Sequence, residues 1–275
     1  MKLVRKYWVD AAAILAATVV FLVPFAFIVL TAVKSRSDAA ELDFTWPKEW
    51  RVWGNFTEVL TFRDNIVVTA MKNSLVLTVV SVTAIVILSA MVGFVSQRRQ
   101  DRWSTAANAL VFSGLIVPPA VVPTIFVLQE VNLFKSLTGL ILVEIAITLP
   151  FGILLTRAFL ATIPREVDEA AIIDGASSSA LFFKVVLPLM RPVLITLIVT
   201  SSVAIYNDFV NPLYFTPGSD SATVQLTLFN FQSQFSSQWN LLFMDVLLIT
   251  IPPLIMFIFF NRKIVEGMTA GAVKG

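Results

Sequence analysis

Six runs of about twenty or more predominantly apolar residues occur along the chain, at 11–33, 73–95, 104–128, 137–156, 192–213 and 241–260. A hydrocarbon layer about 30 Å thick is crossed by about 20 helical residues, so each run is long enough to span it. No water reaches the backbone there, and a segment that crosses alone must satisfy its own amides by coiling into a helix. The pattern predicts an all-α membrane protein with six transmembrane helices in a single domain, residues 1–275. Composition agrees: 57% of the 275 residues are hydrophobic and 14% charged, where a soluble domain carries about 25% charged residues.

The distribution of basic residues orients the spans. The first run follows Lys2, Arg5 and Lys6 as a secretory signal does, but at 23 residues it exceeds the roughly 7–15 of a signal core, so it reads as a retained helix. Thirteen Lys and Arg fall in the N-terminus, 96–103, 157–191 and 261–275, against seven on the other side. That bias places both termini and the 157–191 segment in the cytoplasm. The outer 34–72 loop holds Asp38, Glu41, Asp43 and Glu49, and its Trp46, Trp50 and Trp53 fit a segment lying in the membrane interface. The 214–240 stretch has no Lys or Arg and many Gln, Ser and Phe; it reads either as an outer contact for a partner or as a solvated loop.

Several functions are excluded. A net charge of +2 leaves no basic surface for nucleic acid. With neither Cys nor His, the chain lacks a thiolate nucleophile, the usual general base and the commonest metal ligand, which argues against an enzyme, a metal site or a bound cofactor. No phosphate-cradling Gly-rich loop and no Gly-Lys pair occurs, so this chain cannot hydrolyse ATP itself. There is no matched pair of interrupted helices or internal repeat of the kind many secondary carriers carry.

Polar groups inside spans are costly and usually face protein or water. Glu144 lies about 10 Å into its helix; it reads either as a pathway-lining acceptor for substrate hydroxyls or as a helix-pairing carboxyl. Asp245, four residues from a span end, is expected to snorkel to the outer interface. The stretch Tyr206-Asn207-Asp208-Phe209-Val210-Asn211-Pro212 interleaves aromatic and polar groups, which suits a sugar, with its hydroxyls and C–H faces, and equally an interfacial belt. Glu144, Asn207, Asp208 and Tyr206 are therefore pathway candidates. Among the prolines of the spans (Pro24, Pro118, Pro119, Pro123, Pro150, Pro212, Pro252, Pro253), the cluster Pro118-Pro119-x3-Pro123 predicts an irregular stretch facing protein or an aqueous path.

Between the fourth and fifth spans lies a segment with helix punctuation. Pro164 suits a first helical position, Glu166, Asp168 and Glu169 sit where the helix dipole favours acids, and Gly175 suits the stop. Ser177 caps a second helix that closes at Pro188. Val167, Ala170, Ala171 and Asp174 are expected on one side of the first helix, making a helix-turn-helix knob at 161–191.

The order Glu169-Ala170-Ala171, three residues, Gly175, nine residues, Val185-x-Leu187-Pro188 is similar to the "EAA" loop of permease subunits in bacterial binding-protein-dependent ATP-binding-cassette importers; Val185 stands where that pattern usually has Ile. Leu149-Pro150-Phe151-Gly152, Tyr206-Asn207-Asp208-Phe209 (often Trp-Asn-Asp-Phe in the family) and the tail Gly267–Gly275 resemble the maltose-type, carbohydrate branch, so the likeness covers roughly residues 10–275.

The resemblance implies a non-catalytic permease in the bacterial plasma (inner) membrane, half of a heterodimeric pore for a sugar or oligosaccharide. Its partners would be a second permease, two ATPase subunits that use ATP and Mg, an external solute-binding protein and membrane lipid. Coupling would run through Glu169, Ala170, Ala171, Asp174, Gly175, Leu187 and Pro188, with a flexible tail reaching the ATPase. The competing class is a secondary carrier or channel for a small polar solute acting without an ATPase.

Overall fold

The computed structural model describes residues 2–99, 101–116, 120–218, 220–231 and 237–272. Among these, every regular element is a helix: α1 (Lys2–Val33), α2 (Arg36–Ala39), α3 (Val52–Thr61), α4 (Ile66–Arg98), α5 (Arg102–Ile116), α6 (Val121–Glu130), α7 (Leu137–Leu160), α8 (Glu166–Ile173), α9 (Ser178–Ala180), α10 (Leu187–Leu189), α11 (Arg191–Tyr206), α12 (Val210–Phe215), α13 (Val224–Thr227) and α14 (Trp239–Ala272). A π-helical stretch, Leu181–Val186, joins α9 to α10, and a 3-10 turn, Leu228–Phe231, follows α13. Among the described residues, four segments are single helices long and apolar enough to cross a membrane: Ala13–Val33, Ile66–Arg98, Leu137–Leu160 and Trp239–Phe260. The number rises to six if α5 with α6, and Ser178–Leu189 with α11 (bent by 72°), each count as one broken span.

Boundaries depart from the apolar runs in instructive ways. The helices α1, α4 and α14 run well past 11–33, 73–95 and 241–260, because an apolar run marks only the lipid-matched part of a helix that continues until something caps it. α14 continues as far as Ala272, so most of the tail expected to be flexible is helical; residues 273–275 lie outside the described residues. The 192–213 run is not one helix: α11 stops at Tyr206 and α12 starts at Val210. The 104–128 run divides between α5 and α6, with Pro118 and Pro119 outside the described residues. Pro123 sits in the first turn of α6, where a missing N–H breaks no helical bond.

The chain forms two compact units, residues 1–71 with 224–251, and 72–223 with 252–275. In the first, Ala32, Val59, Val67, Phe231, Leu241 and Leu248 share a core. The end of α1 is capped from a distance: Asn55 Nδ2 donates to Ala32 O (2.8 Å) and Lys34 O (2.9 Å), and Arg51 N–H to Val33 O (2.8 Å). Lys34 is 0% exposed, and its ammonium donates to Asp43 Oδ1 (2.7 Å), Asp43 O (3.1 Å) and Thr45 Oγ1 (3.1 Å), using all three N–H groups. The carboxylates of Asp38, Glu41 and Asp43 gather within 4.8 Å. Lys34 and Lys48 supply their counter-charge, Lys48 Nζ lying 3.3 Å from Glu41 and 3.9 Å from Asp38. Trp46, Trp50 and Trp53 stand exposed on this loop.

In the first unit one expectation fails, and one of the two readings of 214–240 is removed for part of that stretch. Asp245 does not snorkel: it is 0% exposed, and Thr227 Oγ1 donates to its Oδ2 at 2.7 Å. Residues 224–231 do not form a solvated loop either, since Val224, Thr227 and Phe231 are buried and Phe231 packs on Phe62 at 4.7 Å. The segment brings Thr227 to one oxygen of the buried carboxylate.

In the second unit α7 is central, packing on α5, α11 and α12 over a core that includes Leu77, Ile85, Leu140, Val143, Leu197 and Phe215. α4 and α7 approach through small residues four apart on each helix, Ser89 and Gly93 against Gly152 and Thr156. A β-carbon at Gly93 would strike the Thr156 hydroxyl, and one at Gly152 the Ser89 hydroxyl. The closeness lets Thr156 Oγ1 reach Ser89 O across the pair at 2.8 Å, as small-residue seams do in lipid, where no hydrophobic force drives helices together.

Two measurements follow. Thermal unfolding in detergent should show Gly152→Leu losing about 1–3 kcal/mol from overpacking and Thr156→Val about 0.6 kcal/mol for one interhelical bond. The hydrogen bond from Lys34 first, then that from Thr45, holds the Asp43 carboxyl below the ordinary carboxylate range. A depressed folded pKa contributes stability above the unfolded value and loses it as pH falls through the folded one. The melting temperature of wild type should therefore exceed that of Asp43→Asn at neutral pH, with the gap closing below about pH 4.

Candidate functional site

The segment between α7 and α11 is rooted in the second unit and presents a tip. α8 begins after Arg165, with Asp168 N–H on Arg165 O at 2.9 Å; Pro164 thus precedes the helix and is not its first residue. It ends in a Schellman turn: Ala176 N–H bonds to Ala171 O (2.9 Å), Gly175 N–H to Ile172 O (3.0 Å), and Gly175 adopts φ +85°. Beyond its own chain neighbours nothing lies within 4 Å of where a β-carbon on Gly175 would be, so backbone conformation, not space, favours glycine here. Ser177 caps the next helix by accepting from Ala180 N–H (3.3 Å). That helix runs through the π-helical stretch and past Pro188 to Leu189, since Pro188 occupies the first turn of α10.

The expected grouping of Val167, Ala170, Ala171 and Asp174 on one side does not hold. Asp168 and Ala171 are buried and Val167 half-buried, whereas Glu166, Glu169, Ala170 and Asp174 face out. Two apolar side chains missed in the sequence share the outer surface, Ile172 and Ile173, the latter 84% exposed. Inside, Ala171, Leu181, Phe182, Val186 and Met190 join Ala90 and Leu160 in a core; Val185 and Leu187 pack against it. The buried acid has a partner that no motif revealed. Arg98, in the last turn of α4, places Nε 2.6 Å from Asp168 Oδ2, donates from Nη2 to Asp168 Oδ1 (3.2 Å), and donates to Ile163 O (3.3 Å).

A second polar cluster lies within the bundle. Glu144, on α7, is 3% exposed and accepts from Asn211 Nδ2 at 3.3 Å; the Asp208 carboxyl also meets it. Asp208 Oδ1 accepts the N–H groups of Val210 (2.8 Å) and Asn211 (3.4 Å), so the residue that breaks the long apolar run also starts α12. The structure thus unites Glu144, Asp208 and Asn211. Asn207 faces outward, with its side chain bonded back to Val203 O (2.9 Å), and Tyr206 is buried. A separate cleft of about 810 Å³, lined by Leu115, Ile116, Val127, Leu142, Ile147 and Phe215, is apolar and offers a sugar little to bond.

Comparison with known proteins identifies the architecture. Residues 85–268 match the family model "Binding-protein-dependent transport system inner membrane component", and those residues contain both clusters. The chain belongs to this family. The permease is 33% identical over 257 residues to a putative ABC transporter permease protein, ORF2, of Caldicellulosiruptor sp. (strain Rt8B.4), covering 92% of each chain. It is 29% identical to the probable starch degradation products transport system permease protein AmyC of Thermoanaerobacterium thermosulfurigenes, covering 98% of each. Its fold matches a chain in the crystal structure of a bacterial ABC transporter involved in the import of the acidic polysaccharide alginate, with TM-score 0.82, 18% identity and coverage of 94% of this chain and 96% of that one.

The Glu144–Asn211 contact is open to direct measurement. Glu144→Ala and Asn211→Ala should each destabilise the permease by about 0.5–1.5 kcal/mol, the net contribution of one part-buried hydrogen bond. The double variant should lose less than the sum, by about 0.6–1.7 kcal/mol; strictly additive losses in thermal unfolding would show that the pair is not coupled.

Proposed function

We propose that this permease forms half of the translocation pore of a bacterial inner-membrane importer for a sugar or oligosaccharide, with six spans and with both termini and the 161–191 loop in the cytoplasm. A second permease completes the pore, an external solute-binding protein delivers the ligand, and two ATPase subunits, which hold the ATP and Mg, drive it. The observation that carries this reading is the α8 tip: Glu169, Ala170, Ile173 and Asp174 face out, while the base of the same helix is fixed to membrane helices. The starch-product name of one relative supports the carbohydrate class, as does that of the melibiose/raffinose/stachyose import permease MelC of Bacillus subtilis, 25% identical over 256 residues, 92% of this chain and 91% of that one.

In this mechanism α8 seats in a groove of the ATPase. Glu169 makes a charge-assisted bond to a basic group there, Ala170 permits close approach, and Ile173 buries against it. Asp174 and Gly175 end the helix sharply enough to leave the tip free, Ala171 and Leu187 hold its base, and Pro188 opens the short helix α10 that follows. Closure of the ATPases on ATP moves the tip, and the spans follow as rigid bodies to alternate access. When α7 and α12 part, hydroxyls of the sugar replace Asn211 on Glu144, with Asp208, Asn207 and Tyr206 lining the break.

The test is affinity purification of the tagged permease from its native membrane in mild detergent, wild type against Gly175→Asp. Wild type should retain a second permease and an ATPase; the variant, whose β-carbon strains the left-handed turn and whose carboxylate adds negative charge at the helix C-terminus, should insert normally and lose the ATPase. A wild-type chain that emerges alone or as a homomer, without ATPase activity in the eluate, would favour the secondary-carrier reading.

A further inference from the structure

The coupling reading explains how α8 takes up motion but not which span receives it. Three residues of α4 spaced by four, Ala90, Phe94 and Arg98, lie along one side of that helix. All three touch the coupling segment. Ala90 is buried in the same core as Ala171, the ring of Phe94 packs at a tilt on that of Phe182 with centroids 5.3 Å apart, and Arg98 holds Asp168 and Ile163 O. The neighbouring row, Ser89 and Gly93, closes on α7 at Gly152 and Thr156, and Arg157 of α7 donates to Gln97 at 3.3 Å.

The ion pair is well placed to act as a lock. Its side chains are only 13% and 12% exposed, so salt screens it less than a surface pair. Arg98 lies in the last turn of one helix and Asp168 in the first turn of another, the ends at which each charge is favoured by the helix dipole. One planar guanidinium serves both the carboxylate and the Ile163 carbonyl, so it fixes the entry to α8 as well as α8 itself.

We propose that Arg98 is a positioning residue that makes α8 and α4 one rigid body, so that α4 carries ATPase motion into the membrane. The proposal rests on the coupling reading of α8. The permease has no cysteine of its own, which permits spin labels on Glu166→Cys, exposed in the first turn of α8, and Val79→Cys on the exposed side of α4. The distance between them would be read in the permease–ATPase complex with and without Mg-ATP and vanadate.

In wild type the distance should stay unchanged on adding nucleotide. In Arg98→Ala and in Asp168→Ala it should shift by about 2 Å or more, with the ATPase still bound, and ATP-coupled transport should fall about twofold to thirtyfold. The double variant should shift no further than either single one. A nucleotide-dependent change in wild type, an unchanged distance in both single variants, or additive effects in the double variant would each overturn the lock. Loss of the ATPase from the wild-type complex would instead overturn the coupling reading on which it stands.

Discussion

A backbone amide in hydrocarbon has no water to bond, so every interruption of a helix must be made good by a named group. The structure is organised around such repairs. Asn55 caps the end of α1 from a helix more than twenty residues away, and Asp208 takes up the N–H groups exposed where α11 gives way to α12. At the exposed end of α8, where water does reach the backbone, Gly175 and Ser177 close and reopen the chain through local bonds. The clusters proposed to carry function lie at two of these repairs, because a side chain that mends a broken helix is also held in one place.

Buried ionisable groups follow the same logic. Lys34 is tolerated without exposure because three acceptors meet its three N–H groups. Asp245 draws Thr227 inward, and Glu144 is held by Asn211. The Asp168–Arg98 pair differs in joining two helix ends, so its charges are favoured by the helices as well as by each other. Between α4 and α7, by contrast, closeness comes from missing side chains at Gly93 and Gly152, which a polar bond from Thr156 then uses.

Much was legible in the sequence. Apolar runs announced helices because lipid thickness and helical rise are fixed lengths, and the Gly175 turn and Ser177 cap were readable because their chemistry is local. The expectations that failed depended on distant partners. Asp245 seemed near enough to an interface to snorkel until Thr227, eighteen residues away, met it. Ala170 and Asp174 appeared to share a face with Ala171 because spacing assigns residues to sides of a helix but does not say which side the core occupies. Arg98 read as one of thirteen cytoplasmic charges; its pairing with Asp168 spans seventy residues and leaves no periodic trace.

The sequence by itself determined that the chain is helical and apolar enough to cross a membrane, and that one segment, Glu169 to Pro188, is similar to a loop of a known permease family. Those properties follow from residue type and local spacing. Only the tertiary structure decided that Glu144, Asp208 and Asn211 form one cluster, that Ile173 stands out from α8, and that α4 is bound to α8 by Arg98. Each of these depends on which helices pack together, and packing is chosen by the fit of small residues and buried polar partners far apart in the chain.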